Sequence, residues 1–144
     1  MNYTTGVIYA LCAAATAALV GIFAKIGMKD VHPVLATAMR SVVMMVICVA
    51  AALVMRAQEH ARHLTRTAVV MIVLSGIAGA ASWIFGFMAY DKIGVSKTSP
   101  LDKLSVPLAV GLAVLFLGER PSRVNWVGIG LITAGAYLSS LKSQ

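Results

Sequence analysis

Arg40, Asp102 and Lys103 are charged residues set inside long apolar runs of the chain. Ionisable groups at membrane depth are costly and normally face a bundle interior or a wet cavity, where they pair, bind ions or relay protons. Pro100 and Pro107 bracket the Asp102–Lys103 pair, and each removes a backbone donor. Irregular backbone and charge together inside a bilayer mark a binding site rather than an anchor.

Depth brings these residues to one level. At a rise of about 1.5 Å per residue, Arg40 lies roughly 9 Å past Val34 and Lys103 roughly 8 Å past Thr98. On the same rise Trp83 precedes Tyr90 by about 10 Å, counted from the same face. The candidate substrate-binding set is therefore Arg40, Trp83, Asp102 and Lys103, with Ser105 on the same stretch. Two readings stand for Arg40. It pairs with Asp102 to hold two helices together, since buried charges are normally paired, or it helps Lys103 attract an anionic or zwitterionic molecule with Trp83 as an apolar wall. Lys103 then either contacts a ligand or snorkels to the interface on its long stem.

Positioning these groups requires membrane-spanning elements. Of 144 residues, 60% are hydrophobic and 12% charged, with mean hydropathy +0.88. A soluble domain carries about a quarter charged residues, so the chain is read as an all-α integral membrane bundle with little mass outside the bilayer. Five apolar segments approach the ~20 residues that cross the hydrocarbon: about 5–26, 34–55, 67–90, 97–117 and 124–141, forming one domain over 1–144. Pro33 suits a helix start. Small residues at four-residue spacing, Ala13, Ala17 and Gly21 in the first segment and Gly76 and Ala80 in the third, favour close helix contact. Trp83, Phe87 and Tyr90 recur at helical spacing. Asp91–Gly94 and Glu119–Ser122 read as turns.

The net charge of +7 would point a soluble protein towards nucleic acid. Here the bases flank apolar runs without forming a basic block, so the bilayer is the partner and nucleic acid is not. Five spans sort Arg56, Arg62, Arg66, Arg120 and Arg123 to one side, and Lys25, Lys29, Lys92, Lys97 and Lys142 to the other. Orientation follows Lys/Arg asymmetry in short loops; with none, insertion in both directions is expected. Lys25 and Lys97 read as headgroup-level charges, and Tyr90 as an interfacial aromatic. Cys12 and Cys48 fall in apolar runs and read as small packing residues. His32, His60 and His63 read as loop residues with no third ligand beside them, so no metal and no cofactor are expected. No Gly-x-Ser-x-Gly elbow, His-Glu-x-x-His pair or phosphate loop occurs, which argues against an enzyme.

Several stretches then resemble the EamA family of the drug/metabolite transporter superfamily, in its short five-helix, single-repeat branch. They are Ser82-Trp83, Asp91-Lys92-Ile93-Gly94, Pro100-Leu101-Asp102-Lys103-Leu104-Ser105, Leu115-Phe116-Leu117-Gly118-Glu119-Arg120, and Trp126-Val127-Gly128 through Leu131-Ile132-Thr133-Ala134-Gly135. The last segment is also similar to the dimerisation helix of small multidrug resistance transporters, which implies an interface through Gly128 and Gly135; Gly130, four residues from Ala134, is expected at or near it as a further small residue. The first segment carries no acidic residue, unlike the proton- and drug-binding glutamate of those transporters, and has Val20-Gly21 where the wider EamA family has Trp-Gly. The resemblance implies a multi-pass protein of a bacterial or archaeal inner membrane. Two copies in opposite orientations would reproduce the inverted repeats of ten-helix relatives and move a small molecule by alternating access. The rival expectation is a membrane scaffold or assembly partner whose charges are purely structural.

Overall fold

The computed structural model describes residues 3–57, 59 and 64–141. Regular structure among them is helical: α1 (Tyr3–Gly27), α2 (Pro33–Val54), α3 (Arg66–Ile93), α4 (Val95–Asp102), α5 (Ser105–Leu117) and α6 (Arg123–Ser140). The expectations for Arg62, His60, His63 and Lys142 lie outside the described residues. Four stretches are long and apolar enough to cross a membrane: α1, α2, α3, and α4 with α5 taken together as Val95–Leu117. The fifth expected helix, α6, has 18 residues, about 27 Å at the usual rise. It is more polar, with Asn125, Thr133, Ser139 and Ser140 along it. The chain is an integral, multi-pass membrane protein of the all-helical class.

The chain forms two compact units, Met1–Ile22 with Lys92–Gln144, and Phe23–Asp91. In the first, α6 packs against α4 and α5 and buries Ala136. In the second, Phe87 is only 2% exposed.

The fourth segment is not the single helix expected over 97–117. It starts at Val95 and breaks after Asp102, and Pro107 supplies the cause. Proline has no N–H to return to the carbonyl four residues back, and its ring crowds that carbonyl. The Lys103 carbonyl instead accepts from Val106 N–H at 3.0 Å, while Lys103 and Leu104 N–H donate to Pro100 and Leu101 carbonyls, each at 3.0 Å. The ladder thus tightens to three-residue bonds, which keeps these backbone groups satisfied.

Other boundaries are set by capping. The His32 Nδ1 accepts from Val34 N–H at 3.3 Å, so His32 caps α2 rather than standing free in a loop. Ser122 Oγ accepts from Asn125 N–H at 3.2 Å and caps α6. The expected turn over Asp91–Gly94 contracts, because α3 continues through Ile93. Gly94 alone turns the backbone, at φ 78 and ψ 169, a region essentially restricted to glycine. The expected small-residue packing is partial. Ala13, Ala17, Gly76 and Ala80 are exposed, and only Gly21 is buried. Cys12 and Cys48 are free and exposed, so neither packs inside a core of this chain. The reason is common to all of them: a helix whose outer face meets lipid needs no apolar partner from its own chain.

Gly94→Ala places a Cβ in that glycine-only conformation and is expected to destabilise the chain by about 1–3 kcal/mol. Gly111→Ala, in the interior of α5 with open space around the added Cβ, should be neutral or stabilising by about 0.5–1 kcal/mol. Melting of both variants in detergent micelles, side by side with the parent, measures the contrast.

Candidate functional site

Within Phe23–Asp91, α2 supplies Arg40 and α3 supplies a row of rings. Trp83, Phe87 and Tyr90 fall within about 60° of one another at ~100° per residue. Arg40 reaches this row, with its guanidinium carbon 3.6 Å from the Trp83 ring centroid and 5.8 Å from that of Phe87. Trp83 and Phe87 meet edge to face at 5.9 Å, and Phe87 and Tyr90 are 6.0 Å apart. Sequence reasoning placed Arg40 and Trp83 at one depth; the structure brings them into contact. Phe87 joins the candidate residues, and its four-residue spacing from Trp83 is the signal in the sequence that puts it on the same face.

Lys25 was read as a headgroup-level charge and has a more specific role. Its Nζ donates to the Tyr90 carbonyl oxygen at 3.0 Å. Tyr90 lies in the last turn of α3, where carbonyls lack an intrahelical partner and a cation suits the helix dipole. The bond joins the end of α1 to the end of the aromatic row.

Hydroxyl groups near this site are spent on their own helix. Thr37 Oγ1 donates to the Pro33 carbonyl and Ser41 Oγ to the Thr37 carbonyl, both at 2.9 Å. Such bonds to the preceding turn let polar residues sit in an apolar medium.

In the other unit, Lys103 Nζ and Asp102 Oδ2 are 3.6 Å apart, with the side chains 58% and 60% exposed. They flank the break between α4 and α5. Ser105 begins α5 and is exposed. Below the break, Thr98 is buried, and its Oγ1 donates to the Gly94 carbonyl at 2.8 Å. At the far end of α5, Glu119, Arg120, Pro121 and Asn125 line an open cleft of about 340 Å³ with Val110 and Ile129. Among the described residues, no group of three His, Cys, Asp or Glu side chains is placed to hold a metal.

The glycines of α6 divide between two faces. Gly128 and Gly135, seven residues apart, lie within about 20° of each other, whereas Gly130 is about 200° around from Gly128. A Cβ added at any of the three would meet nothing within 4 Å. Val124, Leu131 and Leu138 share the face of Gly128 and Gly135 at helical spacing, and all three are exposed.

This arrangement offers a fixed guanidinium against an aromatic wall and, separately, an ion pair at a helix break. A guanidinium edge and an ion pair are groups able to hold a charged or polar molecule. No solved structure matches the chain. A curated protein from Sinorhizobium sp., named as an uncharacterized transporter in the cobO 3′ region, is 38% identical over 132 residues, which are 90% of this chain and 92% of that protein. The model of the EamA-like transporter family matches residues 4–141. Helical spans, interrupted fourth segment and this match over nearly its whole length agree: the chain belongs to the EamA-like transporter family.

Proposed function

We propose that this chain is a subunit of a membrane transporter that moves a small anionic or zwitterionic metabolite by alternating access, working as an antiparallel, dual-topology homodimer. The observation that carries the reading is Arg40 itself. It is a permanent cation inside a membrane span, stacked on Trp83 and lacking an acidic neighbour on its own helix. An arginine at that depth costs about 2.5–3.5 kcal/mol. A desolvated stack on an aromatic ring returns about 2 kcal/mol. The charge is therefore tolerated without being fully neutralised, which suits reversible binding of an anion.

Asp102 and Lys103 have a separate role in this reading. Their pair straddles a break in a spanning helix, the kind of interruption at which transporters hold substrates or coupling ions. Lys103 contacts the anion during the cycle, with Ser105 as a hydroxyl donor, and Asp102 balances Lys103 or exchanges a proton. Support for the dimer comes from the balanced flanking charge and from the exposed face of α6. The interface runs through Gly128 and Gly135, with Gly130 turned away from it. The membrane is the bacterial inner membrane, in keeping with the bacterial relative.

A flux assay in liposomes against a panel of small anions tests the reading. Purified dimer that moves none of them would favour the scaffold. Lys103→Met keeps side-chain length, removes the charge and is expected to abolish flux while the protein stays folded; flux at the parent rate would remove Lys103 from the site. Asp102→Asn is expected to uncouple flux from a proton gradient if Asp102 carries the proton.

Gly128→Leu and Gly135→Leu should dissociate the dimer, read by cross-linking in native membranes, whereas Gly130→Leu should leave it intact. With Cys12 and Cys48 replaced, cysteines placed at each helix end and labelled from either side report orientation. A single orientation in active protein would overturn the antiparallel arrangement.

A further inference from the structure

We propose that Arg40, Trp83 and Phe87 select a monocarboxylate with an apolar body, held in the plane of the guanidinium. The proposal deepens the transport reading and rests on it for the site's role, but it is tested by binding alone.

Three observations converge on this ligand class. The first is geometric. A guanidinium carries five N–H donors in its plane, and Trp83 at 3.6 Å covers one of its faces. Stacking therefore leaves the edge, not the face, for a ligand. An edge of paired parallel donors fits a planar acceptor with two coplanar oxygens, which is a carboxylate.

The second is charge. The acidic residues of Phe23–Asp91 are Asp30, Glu59 and Asp91, all in loops or at a helix end, so α2 and the aromatic row bring no carboxylate to the depth of Arg40. Lys25, which reaches the end of the row, is engaged with the Tyr90 carbonyl. Lys103 adds no net charge, being paired with Asp102, and in this unit Arg40 thus presents one positive charge beside the rings. It balances a carboxylate at −1, whereas a phosphate monoester at about −1.5 to −2 would enter an apolar medium under-neutralised, at a large cost.

The third is the wall. Trp83 is half-buried and Phe87 buried, while Thr37 and Ser41 have given their hydroxyl protons to their own helix. A polyhydroxylated acid would find no free hydroxyl donor in Thr37 or Ser41, only oxygens able to accept, whereas an alkyl or aryl body needs no polar partner. Aromatic walls with a single oriented polar anchor are the usual make-up of a site for an apolar small molecule.

The experiment uses the full chain in detergent or nanodiscs. The chain has two tryptophans, Trp83 and Trp126, so Trp126→Phe leaves Trp83 as the sole indole reporter. Hexanoate, hexanamide and hexyl phosphate share a tail and differ in head group. Hexanoate is expected to change Trp83 emission saturably, with the amide and the phosphate each weaker by about tenfold or more, the scale of a charge-assisted hydrogen-bonded pair. Arg40→Lys, which keeps the charge and loses the fork, should weaken hexanoate by about tenfold. Arg40→Met should abolish the response. Should Arg40→Met fail to fold, Arg40→Lys carries the test. Equal binding of hexanamide, tighter binding of hexyl phosphate, or an unchanged Arg40→Lys overturns the proposal. Carboxylate binding without flux in liposomes overturns the transport reading and supports this one. Arg40-dependent flux of a different anion, without carboxylate binding, does the reverse.

Discussion

A bilayer offers no water to a backbone N–H or C=O, so each must be satisfied inside the chain. Much of the local structure follows from that demand. Pro107 cannot donate to the Lys103 carbonyl, so Val106 does, and the ladder tightens at the point where the helix breaks. Thr37, Ser41, Thr98 and Thr133 return their hydroxyls to the preceding turn. Lys25 serves a carbonyl in the last turn of α3. The Gly118 and Glu119 N–H groups both reach the Ala113 carbonyl at the end of α5, with Gly118 left-handed at φ 67 as a helix C-cap requires.

The same medium sets the worth of the charges. In water a guanidinium beside an indole is a minor contact, but in hydrocarbon it offsets most of the cost of placing arginine there. The aromatic row therefore does more than fill space. It sets the plane of Arg40, and with it the direction in which the guanidinium donors point. Phe87, the most buried of the described residues in its unit, meets the Trp83 ring edge to face.

Side chains that would form the outer core of a soluble protein are exposed throughout, among them Val124, Leu131, Phe85 and Leu115. In lipid this is ordinary, since hydrocarbon solvates them as well as another helix does. Association then depends on close packing, for which glycine and alanine serve best. The face of α6 bearing Gly128 and Gly135 meets this condition, and among the described residues nothing lies within 4 Å of a Cβ added at either glycine.

The sequence by itself determined the class of the molecule. Composition and run length specify membrane helices, because the hydrophobic requirement of a bilayer is additive and local. Prolines at 100 and 107 mark the interrupted segment, because loss of a backbone donor is a property of the residue alone. Depth counting brought Arg40 and Trp83 to one level, because rise per residue is nearly constant. Only the tertiary structure decided the rest. Phe87 shares the face of Trp83 by its four-residue spacing, but that Arg40 stacks on that face depends on helix rotation, which lateral packing sets and hydropathy does not encode. That Lys25 serves the Tyr90 carbonyl, and that His32 caps α2, depend on where chain ends meet. Helical spacing puts Gly130 on another side of α6 from Gly128 and Gly135, but that a Cβ added at any of the three meets nothing within 4 Å is a matter of three-dimensional placement.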